Sequence, residues 1–202
     1  MKKIIAFDLD GVIINSLPNM EKAWNETCKT NNLKISFRKY KKYIGLPFIK
    51  ILKKLNIKNE YQKIQDDYKY FSIRYVNLIK CYVNIKKVLN ILKNKKYKIV
   101  IITSKERVRS LFILKKKKIK FDMLVTPNDV KKGKPYPESI KKVLKKFSLK
   151  NENILFIGDS IYDYKLAKNS NIEFLFANWG YGAINLKKIN KINNPINILK
   201  KI

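Results

Sequence analysis

Apolar positions along this chain follow two rhythms. Short, largely apolar runs at residues 4–7, 99–102, 121–125, 154–157 and 173–177 are what strands buried on both faces of a parallel sheet require. Between the later runs, apolar residues return every three or four positions, which predicts helices over 85–92, 106–117, 138–147 and 162–168. Lys115–Lys118 crowd the end of the second of these, where positive charge suits the helix dipole. Residues 19–83 read as mostly helical, with Trp24, Cys28, Ile35, Tyr43, Leu52, Tyr68 and Phe71 among the apolar members, and show no convincing strand. Gly45 and Pro47 break that segment once and residues 56–59 break it again, while Ser16, Leu17 and Pro18 mark its start. Strands alternating with helices of this length predict an α/β fold, a doubly wound parallel sheet with right-handed crossovers. The helical segment is then an insertion between the first two strands. A turn at residues 179–182 leads to a final helix or tail rich in Ile, Asn and Lys.

Composition adds a core and a field. Of the 202 residues, 46% are hydrophobic and 12% aromatic, which excludes a disordered chain. The net charge is +31, from 46 Lys and Arg against 15 Asp and Glu, and such a field attracts anions. The cations are nearly all lysines, spread along the chain among Ile and Asn, a pattern of codon bias rather than of a dedicated nucleic-acid surface. Cys28 and Cys81 are too few for a zinc site or a disulfide framework and are expected to be reduced and buried. Asp8 and Asp10 interrupt the first apolar run before it resembles a signal peptide, and no run reaches the ~18 residues of a membrane span. The expectation is a cytoplasmic protein without a membrane partner.

The polar residues that come after the strands change the picture most. Asp8 and Asp10 stand where the first strand ends, and Gly11 lets the chain turn away at once. Thr103 and Ser104 follow the second strand, Lys134 lies in the loop after the third, and Asp159 and Asp163 follow the fourth. Strand tips of a parallel sheet share one edge, so these groups can meet in one crevice. Carboxylates gathered there repel one another without a cation, and hard oxygen ligands select Mg²⁺. A hydroxyl and an ammonium beside such a metal suit a phosphate.

Taken in order, FDLDG, the apolar run ending in Thr103, Lys134 in GKPYPES, and GDSIYD resemble the four motifs of the haloacid dehalogenase superfamily of phosphatases. IGLPFIKIL and WGYG further resemble its phosphoglycolate-phosphatase-like branch. The resemblance implies a Rossmann-like core from residues 1–14 and 85–202, with a small helical cap domain from 15–84 inserted. It implies a Mg²⁺-dependent phosphatase acting on a small phosphorylated metabolite, as a monomer or homodimer. Asp8 would be the nucleophile and form an aspartyl-phosphate. Asp10 would protonate the leaving oxygen and then activate water. Thr103 and Lys134 would offset phosphoryl charge, and Gly11 and Ser104 would add backbone N–H contacts. Asp8, Asp159 and the backbone carbonyl of Asp10 would hold Mg²⁺, with Asp163 behind them.

The cap would carry specificity, with Asn15, Pro18 and the loop from Gly45 to Phe48 as candidates. FRKYKKY, residues 37–43, interleaves aromatics with cations as single-strand nucleic-acid binders do, but reads better as a basic helix face over an aromatic core stripe. Two other functions stay open: a β-phosphoglucomutase-like phosphosugar mutase, which the absence of histidine disfavours, and a basic nucleic-acid-binding protein on the same fold. Asn169 and Ser170 depart from the small residues and glycine common in relatives.

Overall fold

The structure is a computed structural model and describes residues 2–182 and 189–202. In chain order its main elements are β1 (Ile4–Phe7), β2 (Ile14–Asn15), α1 (Leu17–Thr30), α2 (Phe37–Lys41), α3 (Phe48–Lys54) and α4 (Tyr61–Arg74). They continue with β3 (Lys80–Cys81), α5 (Ile85–Asn94), β4 (Lys98–Ile102), α6 (Arg107–Lys116), β5 (Met123–Val125) and α7 (Glu138–Phe147). The chain ends with β6 (Ile154–Gly158), α8 (Ile161–Asn169), β7 (Glu173–Ala177) and β8 (Lys191–Ile192). Six strands form one parallel sheet in the order β5-β4-β1-β6-β7-β8. The expected doubly wound Rossmann-like sheet is therefore present.

β1 lies at the centre because it is apolar on both faces. Ile5 and Phe7 enter one core with α5 and β4 residues such as Val88, Leu92 and Ile101. Ile4 and Ala6 enter the other, with Ile140, Phe156 and Leu166. The alternation is the two-residue period of a strand covered by helices on both sides. In register, Phe7 faces Ile101 of β4 on one side and Ile157 of β6 on the other. The residues just beyond these tips are thus neighbours although about 95 and 150 positions separate them.

A third cluster of buried residues is built entirely from the inserted segment. Trp24 of α1, Tyr40 of α2, Leu52 of α3 and Tyr68 of α4 form its centre, with the Trp24 and Tyr40 rings 4.6 Å apart. In the FRKYKKY stretch Tyr40 is buried, and Phe37 and Tyr43 are half-buried against the same cluster, Phe37 stacking on Tyr40 at 5.7 Å.

Three expectations need correction. The segment 19–83 does contain a strand, since Lys80–Cys81 pairs antiparallel with Ile14–Asn15 where the chain leaves the sheet and returns to it. A two-residue strand has no periodicity of its own, and its pairing comes from the opposite connection. The third sheet strand begins at Met123 rather than Phe121; just before it Asp122 bonds Ile99 twice, its backbone N–H donating at 2.7 Å and its carboxylate accepting at 2.8 Å. Cys81 is half-buried, whereas Cys28 is buried as expected. Beyond the turn at 179–182, residues 183–188 lie outside the described residues, so the start of the expected final helix or tail does too. Nearer the C-terminus, β8 extends the sheet and Pro195–Lys200 forms a 3₁₀ turn whose Ile198 enters the core. No described helix is long and apolar enough to cross a membrane.

Candidate active site

The carboxyl edge of the sheet gathers the polar residues. Asp8 follows β1 directly, its backbone N–H donating to Ile157 at 2.9 Å. Thr103 follows β4 beside it, and Asp159 follows β6 on the other side. Lys134 reaches in from the loop after β5 and is only 4% exposed. Its ammonium donates to Asp8 Oδ1 at 2.7 Å and to Asp163 Oδ1 at 2.6 Å.

Asp163 arrives by helix geometry. Ser160 caps α8, its hydroxyl accepting from Asp163 N–H, while Asp163 Oδ2 accepts from Ser160 N–H at 3.0 Å. This reciprocal capping box fixes a buried carboxylate at the third helical position. Its other oxygen is left to hold Lys134.

Carboxylate oxygens of Asp8, Asp159 and Asp163 lie within 4.8 Å of one another, all on buried residues. Burial pushes the Asp8 carboxyl well up, Asp163 and Asp159 adding to the rise while Lys134 opposes it. Asp159 is pushed up to about 7 by burial and by Asp163, against the N–H groups of Tyr181 and Gly182 that bond it. Burial works against the Lys134 ammonium too, but Asp163 and Asp8 outweigh it and hold that lysine above its ordinary value. Three buried carboxylates share one ammonium, and this shortage of positive charge adds to burial in raising Asp8 and Asp159. The donor set, three hard oxygens in a pocket, fits a divalent cation such as Mg²⁺.

Asp10 is turned away from that group. Its carboxylate accepts from the Ser16 hydroxyl and pairs with the buried Lys105 ammonium at 3.2 Å. Ser16 sits at the N-cap of α1 but makes no side-chain cap, because its hydroxyl serves Asp10 instead. Burial lowers the Lys105 ammonium, and Asp10 works against that fall. Thr103 Oγ1 accepts from Lys105 N–H at 3.1 Å, which leaves the hydroxyl proton free to point into the site.

Gly11 has φ +90, and a Cβ there would overlap the Asp159 carboxylate. Its N–H donates to Ile14 at 2.8 Å, so the glycine supplies space for Asp159 rather than the expected phosphate contact. A family model described as haloacid dehalogenase-like hydrolase matches residues 5–177, a span that includes Asp8, Asp10, Thr103, Lys134, Asp159 and Asp163. The chain belongs to that family.

Individual relatives agree. The pyrophosphatase PpaX of Bacillus cereus is 28% identical over 183 residues, 87% of this chain and 82% of that protein. The crystal structure of a predicted phosphoglycolate phosphatase from Haemophilus somnus superposes with a TM-score of 0.87 at 24% identity, covering 99% of this chain and 97% of that one. A haloacid dehalogenase-like family protein from Streptococcus pneumoniae gives 0.86 at 21% identity, covering 99% and 98%. At these identities the two structures speak to the fold.

As a haloacid dehalogenase-like hydrolase, the chain has a cavity of about 670 Å³ over its strand tips. Asp8, Asp10, Thr103, Ser104, Lys134 and Asp159 line it from the sheet edge, and Gly45, Leu46, Pro47 and Phe48 from the inserted segment. Asn15 and Pro18 do not line it: Asn15 Oδ1 accepts from Leu17 N–H at 3.2 Å, closing a local turn. Sequence reasoning missed Ser16, Lys105, Arg109 and Tyr181. Tyr181 had a signal, the WGYG stretch. Its N–H bonds Asp159 at 2.9 Å, and its hydroxyl lies 2.9 Å from Ser16 Oγ, so one residue ties both carboxylate groups together.

Proposed function

We propose that this hydrolase is a Mg²⁺-dependent phosphatase that releases phosphate from a small phosphomonoester in the cytoplasm through an aspartyl-phosphate on Asp8. The observation that carries the reading is the pair of unlike carboxylates at one strand tip. Asp8 lies among carboxylates with Lys134 on it, and Asp10, two residues on, is held apart by Ser16 and Lys105. Neighbouring acids in different surroundings are suited to different roles.

In this reading Asp8 attacks phosphorus as the bond to the leaving oxygen breaks, and Asp10 gives that oxygen its proton. Asp10 then takes a proton from the water that cleaves the aspartyl-phosphate. Ser16 and Lys105 keep the Asp10 carboxylate aimed through both steps. Thr103 donates its hydroxyl to a phosphoryl oxygen, and Lys134 balances charge between Asp8 and the phosphoryl group. Asp163 orients Lys134. Asp8 and Asp159 would hold Mg²⁺ with the Asp10 backbone carbonyl, and the metal would supply charge neutralisation for the phosphoryl oxygens. Residues 15–84 act as a cap whose closure excludes water. Its own buried cluster supports treating it as a separate body.

The names of relatives make pyrophosphate and phosphoglycolate the first substrates to try. The test is phosphate release from these, sugar phosphates and nucleoside monophosphates, with Mg²⁺ and with chelator, for wild type and Asp8→Asn. Metal-dependent release that disappears in Asp8→Asn is expected. Folded, Mg²⁺-binding protein that releases phosphate from none of them would overturn the reading.

A further inference from the structure

The cations around the cavity are not all balanced. Lys134 has Asp8 and Asp163, Lys105 has Asp10, and Lys69 has Glu106 at 3.4 Å. Arg109, in the first turn of α6, lines the same cavity and is only 7% exposed, yet among the described residues no carboxylate pairs with it. Its Nη2 donates to Ser72 Oγ at 2.6 Å, and its guanidinium lies 5.0 Å from the Tyr68 ring centre. Its Nε is buried with no hydrogen-bond partner among the described residues. Arg109 also repels the buried Lys105 ammonium.

A buried cation without a counter-charge is costly, and a hydroxyl and a ring do not neutralise it. Removing its desolvation cost needs an anion. A guanidinium binds phosphate or carboxylate through parallel N–H donors, a geometry lysine does not offer. Arg38, Lys41 and Lys42, exposed on the inserted helices, line the same cavity and add positive potential at its rim. The volume, about 670 Å³, is in the range of sites that hold whole organic molecules, so the site has room for a body between two anionic ends.

We infer that Arg109 receives a second anionic group, phosphate or carboxylate, at the non-reacting end of the substrate. The inference rests on the phosphatase reading and narrows its substrate class to phosphate esters with two anionic ends. Arg109 is then a specificity residue, joining the sheet edge that carries Asp8 to Ser72 and Tyr68 of α4. Because α4 belongs to the inserted segment, the second anion would also draw that segment and α6 together over the substrate.

Matched substrates test it: a hexose bisphosphate against the hexose monophosphate, and a phosphoglycerate against its methyl ester. Wild type is expected to favour the doubly anionic member of at least one pair by about 30-fold or more in kcat/KM. The pair that shows the preference tells phosphate from carboxylate. In Arg109→Gln, which keeps a donor for Ser72 and removes the charge, that ratio should fall towards one. An even-handed wild type, a ratio that survives in Arg109→Gln, or an equal fall for both members would overturn the inference. If thermal melts show that Arg109→Gln does not fold, Arg109→Lys is read in the same way, with a smaller expected fall in the ratio. If folded wild type hydrolyses the singly anionic esters without preference, the inference alone fails. If it hydrolyses no ester in either pair and none in the wider panel, the phosphatase reading fails with it.

Discussion

Polar groups at the sheet edge and polar groups on the helices above it are arranged on opposite principles. At the edge, each carboxylate has a partner: Asp8 and Asp163 share Lys134, Asp10 has Ser16 and Lys105, and Asp159 has the backbone of residues 181 and 182. Across the cavity, Arg38, Lys41, Lys42 and Arg109 have no acidic partner among the described residues. The first set is held ready by parallel strands whose tips cannot move far without breaking the central β1 register. Three of the second set lie on the inserted segment, which has a core of its own, and Arg109 reaches across to that segment from α6. On the proposed reading the difference teaches where each property resides: the groups that would react are preorganised against one another, and the groups that would select are left for the ligand to satisfy.

The strongest way to break the comparison is at Asp10. Asp10→Asn keeps the side-chain shape but removes the proton carrier, so kcat should fall by roughly 10²- to 10⁴-fold. Steady-state kinetics with the best ester checks this, and a fall of less than tenfold would move the acid–base role elsewhere. On the other side, Trp24→Ala removes the centre of the helical cluster, at a cost of about 3–5 kcal/mol. Hydrogen exchange should then rise across residues 17–74 while β1, β4 and β6 stay protected. Uniform loss of protection would mean that the two regions unfold as one body.

A smaller effect is expected at Gly11. Gly11→Ala pushes a methyl group into the Asp159 carboxylate, so Mg²⁺ affinity should weaken by about 10- to 100-fold by calorimetry, with little change in the helical region. The least is a pH effect on metal-free protein. Asp159 is pushed up to about 7, so the folded state holds a proton that the unfolded chain releases near pH ~4. The Asp159 contribution to stability should therefore fall as pH rises from about 4 to about 7, the raised Asp8 carboxyl adds a fall of the same sign, and Mg²⁺ should cancel the fall. Thermal melts in chelator across that range, repeated with Mg²⁺, read the sign directly.

The sheet and its chemistry were legible because both depend on local signals. Continuous apolar runs mark strands covered on two faces, and an acidic pair followed by glycine marks a strand tip, so Asp8, Thr103 and Asp159 could be placed side by side from the sequence. Lys134 needed its GKP neighbours, since a lysine in a chain with 46 basic residues carries no signal alone. The same abundance hid Lys105, which lies between β4 and α6 and is buried against Asp10. Arg109 was hidden differently: nothing in the spacing of α6 says that its guanidinium turns inward to Ser72 of a helix 37 residues away. The β2–β3 ribbon escaped because two residues have no period, and Gly11 was assigned an N–H contact that the turn to Ile14 already uses.

The measurement closest to the central claim is rapid acid quench of wild type turning over its best ester with Mg²⁺, followed by mass analysis of the peptide that contains Asp8. One phosphoryl group should be found on Asp8, accumulating further in Asp10→Asn and absent in Asp8→Asn. Phosphate release by Asp8→Asn at the wild-type rate, with no phosphorylated peptide in any of the three, would contradict Asp8 as the phosphoryl acceptor.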